Sequence, residues 1–196
     1  GNTLTLNETA AVLFEGATPT SSLREVYEVI NHKKAFDYLL NYNGDVTKKL
    51  LCELQKIVTE NTLKPELHKQ AGKYRSVSVF IRGAPVTPPP AILVPKEMRN
   101  LLAWYGKNKK KLHPVVVATY FHAAFEAIHP FVDGNGRVGR LIANFMLHRS
   151  GYPMISISRT QRLRYFETLA KAQMRGNFKP LITLFIERLK NSEKSI

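Results

Sequence analysis

The chain has 196 residues, a length that one globular unit fills and that allows a substantial buried core. Its 44% apolar and 22% charged residues suggest neither disorder nor a disulfide scaffold, and its single cysteine, Cys52, excludes an internal disulfide and fits a reducing, cytoplasmic setting. No apolar run is long enough to span a membrane. The formal net charge of +14 favours polyanions such as nucleotides, nucleic acid or acidic protein surfaces. Nucleic acid is therefore not excluded as a partner, although no basic stripe with interleaved aromatics is present.

In chain order the spacing predicts an all-α architecture with one irregular insert. Ser22 caps a helix running to about Tyr42, with Leu23, Val26, Ile30 and Leu40 near one face. A second helix is expected from Val46 to Glu60, carrying Leu50, Leu54, Ile57 and Val58 at helical spacing. Ser76 to Ile81 is β-branched and aromatic, then Arg82-Gly83-Ala84-Pro85 turns the chain, so a short β-hairpin flap is expected within about 72–92. The run Pro88-Pro89-Pro90 keeps that insert at the surface. Helices follow over about Pro95–Tyr105, with Trp104 as a packing anchor, and from Pro114 through a dense apolar stripe of Val117, Phe121, Ala124 and Ile128. The lysines of 107–111 form a solvated loop between them. Three more helices are expected over about Gly136–His148, Arg159–Met174 and Lys179–Lys190.

The chemistry lies in residues 129–140, His129-Pro130-Phe131-Val132-Asp133-Gly134-Asn135-Gly136-Arg137-Val138-Gly139-Arg140. Gly134 and Gly136 let the backbone approach a ligand just where a helix begins, so unpaired N–H groups and the positive end of the helix dipole make an anion site. Arg137 and Arg140, three apart, present guanidinium forks to successive phosphates, and Asn135 offers an amide donor. Asp133 adds the carboxylate by which Mg²⁺ is commonly held beside phosphates. His129 supplies an imidazole able to take a proton from an attacking hydroxyl, worth ~10²–10⁴ in rate. Each feature alone has a bland reading as a turn, a surface charge or a helix end; their fixed register points to polyphosphate chemistry. The other histidines read as structural: His122 one step from the core stripe, His68 and His148 superficial.

These residues resemble the H-x-F-x-D-G-N-G-R-x-x-R signature of the Fic family. Glu28 to Ala35, Gly72-Lys73-Tyr74-Arg75, Gly151-Tyr152-Pro153 and the helix from Gln161 to Gln173 extend the resemblance along the chain. It implies a single Fic domain over 1–196, a helical bundle that transfers AMP from ATP, with Mg²⁺, to a Ser, Thr or Tyr hydroxyl of a target protein. By the same resemblance His129 is the base, Asp133 the Mg²⁺ ligand, and Gly134, Asn135, Gly136, Arg137 and Arg140 the phosphate cradle, with Phe131 a buried anchor. Tyr165, Phe166, Leu169 and Gln173 correspond to positions bordering the adenine, with a core or helix-surface role open for each. Val77, Ser78, Val79 and Phe80 in the flap would pair with the target's backbone. Self-AMPylation and a homodimer are compatible with it, and Gly136, where Lys would stand, argues against the Doc-like kinase branch.

Many Fic proteins carry an inhibitory helix with (S/T)-x-x-x-E-(G/N), whose Glu pairs with the second motif arginine, here Arg140. The opening Gly1 to Glu8 resembles the stretch directly after that Glu, so the expectation is an N-terminal-brake class lacking the inhibitory Glu. Glu15-Gly16 imitates the motif, but Ala11 stands where Ser or Thr is required. Two other readings stay open: a de-AMPylase using the same site, and a non-catalytic nucleotide- or polyanion-binding module.

Overall fold

A computed structural model describes residues 4–15, 22–81, 83 and 85–193, and among them every regular element is helical. The chain forms two compact units, one from the residues up to Tyr74 together with Phe131–Val138, the other from Arg75–Pro130 together with the residues from Gly139 onward. Among the described residues no helix is long and apolar enough to cross a membrane.

In the first unit a short helix, α1 (Leu6–Ala10), leads into a π-helical turn, Ala11–Glu15. The hydropathy pattern gave no helix there, yet Thr5 and Glu8 form a capping box: the Thr5 Oγ1 accepts from the Glu8 N–H at 3.2 Å and a Glu8 carboxylate oxygen accepts from the Thr5 N–H at 2.8 Å. Gly1–Thr3 and Gly16, which carry the ends of the two brake-like stretches, lie outside the described residues.

Helix α2 (Leu23–Leu40) starts at the Ser22 cap expected from the sequence, whose hydroxyl accepts from Glu25 N–H at 3.4 Å. Its buried face differs from the expectation. Leu23 and Leu40 are 68% and 47% exposed, and the buried positions are Asn31, Ala35 and Leu39, one per turn. The inward stripe contains a polar residue that hydropathy scores as outward: the Asn31 amide donates to the Glu60 carbonyl at 2.6 Å. Helix α3 (Lys48–Val58) is shorter than the predicted Val46–Glu60 because Thr47 is the N-cap, accepting from Leu50 N–H at 3.2 Å, and Thr59 is the C-cap. It buries Leu50, Leu51, Leu54, Gln55 and Val58 and packs on α2.

The second unit is built around α5 (Pro114–Ile128), with Pro114 at its first position and ten of its fifteen residues buried. Helices α4 (Val94–Asn108), α7 (Arg162–Arg175) and α8 (Lys179–Glu193) all pack on it, which explains why its apolar residues run almost all round. Trp104 stacks on Tyr120 at 3.9 Å between centroids, the anchoring role the sequence suggested. Because α4 continues to Asn108, Lys107 is helical and the lysine turn begins at Lys109. Helix α6 (Asn135–Arg149) follows the motif loop.

The expected hairpin is not formed: Ser76–Ile81 adopts no strand, and Arg82 and Ala84 lie outside the described residues. A two-stranded ribbon alone is marginal in water, and the prolines that follow provide no N–H donors for a ladder. Phe80 stands 87% exposed in this segment while Pro88 is buried at its far end.

Replacing the cap in Thr47→Ala is expected to cost about 1 kcal/mol of stability. It would be read as a lower urea midpoint with an unchanged slope.

Candidate functional site

The motif loop draws its shape from unit-one contacts. Asn135 is 2% exposed, and its side chain pairs with a single peptide backbone, the amide donating to Phe131 O and its oxygen accepting from Phe131 N–H, both at 2.8 Å. This amide therefore closes the loop with one of its two N–H donors. Phe131 is fully buried beneath the loop, against Tyr74 at 5.6 Å. Gly134 has φ +84°, and a Cβ there would press on Thr59 and Val58 at 3.0 and 3.1 Å, so both conformation and space require glycine. Gly136 lies in the first turn of α6.

Asp133 and Arg137 meet in a ring of charges. Arg24 Nη2 donates to Asp133 Oδ2 at 2.9 Å and Arg24 Nε to Glu28 at 3.3 Å; Arg137 lies 3.4 Å from Asp133 Oδ1 and 3.7 Å from Glu28. Arg137 also donates to the Val58 carbonyl at 2.8 Å, and its side chain is only 15% exposed. Asp133 Oδ1 accepts the Gly134 N–H at 2.6 Å, which sets the direction of the carboxylate.

In the second unit His129 is the C-cap of α5, with φ 50° and ψ 61°, a left-handed conformation uncommon for a residue with a side chain. Its Nδ1 lies 3.3 Å from the Glu126 carbonyl, which can only accept, so Nδ1 carries the proton and Nε2 is the basic nitrogen. Its carbonyl accepts from Arg75 Nε at 2.8 Å. Arg140 is exposed, one turn beyond Arg137 on α6.

Beneath Arg140 lie buried polar groups. His122 is fully buried, as the sequence suggested, with Nε2 2.7 Å from the Tyr165 hydroxyl. Burial, then the Arg140 charge, lowers its pKa from 6.5 to about 4. Burial raises Glu126 from 4.5 to about 7 despite Arg140. A Cβ on Gly139 would collide with the Glu126 carboxylate and touch His122 Nδ1 at 3.1 Å, so this glycine makes room for the acid.

Among the expected adenine-bordering residues, Tyr165 and Leu169 are buried at 4% and 7%, and Gln173 donates to the Ala123 carbonyl at 3.1 Å. Phe166 is 50% exposed. In the flap Val77, Ser78 and Phe80 are exposed and Val79 is half-buried.

The sequence profile of the Fic/DOC family matches residues 45–147, from just before α3 through most of α6. The chain belongs to the Fic/DOC family. A protein adenylyltransferase Fic of Nematostella vectensis is 33% identical over 193 residues, covering 93% of this chain and 42% of that protein. Among solved structures, Fic-1 of C. elegans (residues 134–508) aligns with TM-score 0.86 at 28% identity over 100% of this chain and 58% of that one. A Fic-domain signalling protein from Bacteroides thetaiotaomicron aligns with TM-score 0.86 at 26% identity over 98% of this chain and 79% of that one. The chain thus spans less than half the length of the curated relative it matches, 42%.

Within this Fic domain several supporting residues were missed from the sequence. Gln55 is fully buried and bridges two loops, donating to Asp133 O at 3.2 Å and accepting from Gly72 N–H at 2.6 Å. Its sign was a lone polar residue in the apolar stripe of α3. Arg24 lies far from the motif in sequence and carried no local signal; Glu28 and Arg75 stood in the family-like stretches Glu28 to Ala35 and Gly72 to Arg75 with no role assigned to either side chain. Glu126 was visible as the one acid in the apolar run of α5.

The buried pair has opposed pH effects. Glu126, with its folded pKa raised, contributes stability that is full below about pH 4.5 and lost as pH rises through about 7; His122, with its folded pKa lowered, contributes stability that falls as pH drops from 6.5 toward about 4. The two oppose one another between roughly pH 4.5 and 6.5. Glu126→Gln is expected to raise stability at pH 8 by roughly 3 kcal/mol and to expose the His122 trend, stability rising from pH 5 to 6.5. Urea melts at three pH values check both.

Proposed function

We propose that this Fic domain transfers AMP from Mg-ATP to a Ser, Thr or Tyr hydroxyl of a target protein. The observation that carries this reading is His129, whose backbone turn and Nδ1 contact with Glu126 O leave Nε2 as the basic nitrogen. The names of the relatives support the same chemistry.

In the step itself the target oxygen forms a bond to the α-phosphorus of ATP, the bond from that phosphorus to the α–β bridging oxygen breaks, and pyrophosphate leaves. The hydroxyl proton passes to His129 Nε2. The first turn of α6, with Gly134 and Gly136, turns N–H groups and its dipole toward the phosphates, and Arg137 and Arg140 add positive charge. Asn135 serves here by holding the loop that presents those groups. Such electrostatic positioning accounts for most of the rate in phosphoryl-type transfer.

Asp133 fits Mg²⁺ in the way that ion is commonly bound, through one carboxylate plus substrate phosphates. Among the described residues no group of three His, Cys, Asp or Glu could hold a metal without the substrate. Mg²⁺, when bound, neutralises charge on the phosphates. Arg24 and Arg137 hold the Asp133 carboxylate in place. Of the four residues proposed to border the adenine, Phe166 is the exposed one and can offer a ring face, with Tyr165, Leu169 and Gln173 as the framework behind it. The flap, lacking strand pairing of its own, offers the backbone of Ser78 to Phe80 to an incoming extended segment, with the Val77 carbonyl held by Arg75 at its base.

Incubation with Mg²⁺ and ATP labelled at the α-phosphate is expected to label protein, this chain included. His129→Ala should lower labelling by about 10² or more. Equal labelling by both forms would remove the catalytic assignment.

A further inference from the structure

Arg75 directs its donors at the backbone of several separate stretches of chain. The residue is 2% exposed. Its Nε donates to His129 O at 2.8 Å, Nη1 to Val77 O at 3.0 Å, and Nη2 to Pro89 O at 2.6 Å and Ile128 O at 3.4 Å, while its own N–H donates to Pro130 O at 2.8 Å. All of these acceptors are carbonyls. Val77 and Pro89 lie near the two ends of the flap segment, and Ile128, His129 and Pro130 form the end of α5 and the start of the motif.

We propose that Arg75 is a positioning residue that fastens both ends of the flap to the backbone of His129, so that the target hydroxyl and the base are held in one frame. The inference rests on the AMP-transfer reading above and deepens it. Three physical points support it. First, a planar fork with five donors can reach carbonyls in several directions at once, which a lysine ammonium cannot reproduce at this geometry. Second, the buried charge sits against the last carbonyls of α5, the negative end of the helix dipole, where a cation is favoured. Third, His129 keeps a left-handed backbone that persists only where its surroundings fix it, and the Arg75 Nε bond fixes the peptide plane that follows the imidazole. Misplacement of a reacting group by about 1 Å can cost about 10² in rate.

Water can replace the target hydroxyl at the α-phosphorus, releasing AMP and pyrophosphate; this needs His129 and the phosphate cradle but not the flap. Transfer needs both. The test compares wild type, Arg75→Lys and His129→Ala with α-labelled ATP, Mg²⁺ and cell-lysate proteins as acceptors, counting labelled protein against free AMP. A calorimetric titration with Mg-ATP gives the fraction of folded, nucleotide-binding sites in each preparation. Per folded site, R75K is expected to lose transfer by about tenfold or more, with a transfer-to-hydrolysis ratio at least about threefold below wild type. A ratio equal to or above wild type, including equal loss of both products, overturns the inference. If wild type itself transfers nothing, or H129A transfers as well as wild type, the AMP-transfer reading falls and takes this inference with it. If wild type transfers, H129A does not, and R75K keeps the wild-type ratio, Arg75 alone is acquitted of the role.

Discussion

The left-handed turn at His129 is the constraint on which the motif end of the second unit depends. Helix α5 is buried on nearly every side, so its axis is fixed, and its end is fixed with it. Placing the imidazole at that end makes its position a property of the core. The turn then does two things at once: it ends the helix, and it brings Nδ1 to the carbonyl of Glu126, which decides the tautomer. A histidine on a flexible loop would have neither constraint, and its basic nitrogen would have no preferred direction.

The motif loop is held in shape largely by its own side chains. Asn135 pairs with both backbone groups of Phe131, and Asp133 and Arg137 share a ring with Arg24 and Glu28. Side chains provide the loop's stiffness where no sheet or helix can. Gln55 extends the same logic by satisfying Asp133 O and Gly72 N–H from within α3. Exposed as the Arg24 contacts are, their energy is small; geometry is their main contribution.

The polar cluster under Gly139 follows a different rule. Glu126 and His122 are both buried where ionisation is costly, and both shift toward their neutral forms, in opposite pH directions. Both are neutral between about pH 4 and about 7, the window in which an acid and a base fit an apolar core, while the Arg140 charge nearby favours an ionised Glu126 and disfavours an ionised His122. The close approach at Gly139 shows that the helix backbone was shaped to accommodate the carboxylate.

Read alone, the sequence determined the helical class, the Ser22 cap, the core face of α5 and the twelve-residue motif, because each is written locally: in periodicity, in a capping residue, or in residues adjacent along the chain. Local signals also misled, as with Leu23 and Leu40, which hydropathy turns inward and the packing of Asn31, Ala35 and Leu39 turns outward. The tertiary structure alone decided what the motif's side chains do. Asn135 as a staple, Arg137 on the Val58 carbonyl, Gln55 beneath Asp133 and Arg75 on the carbonyl of His129 all join residues distant in the chain or reassign a side chain to the backbone. Such partnerships depend on which segments meet in space, and residue spacing carries no record of that.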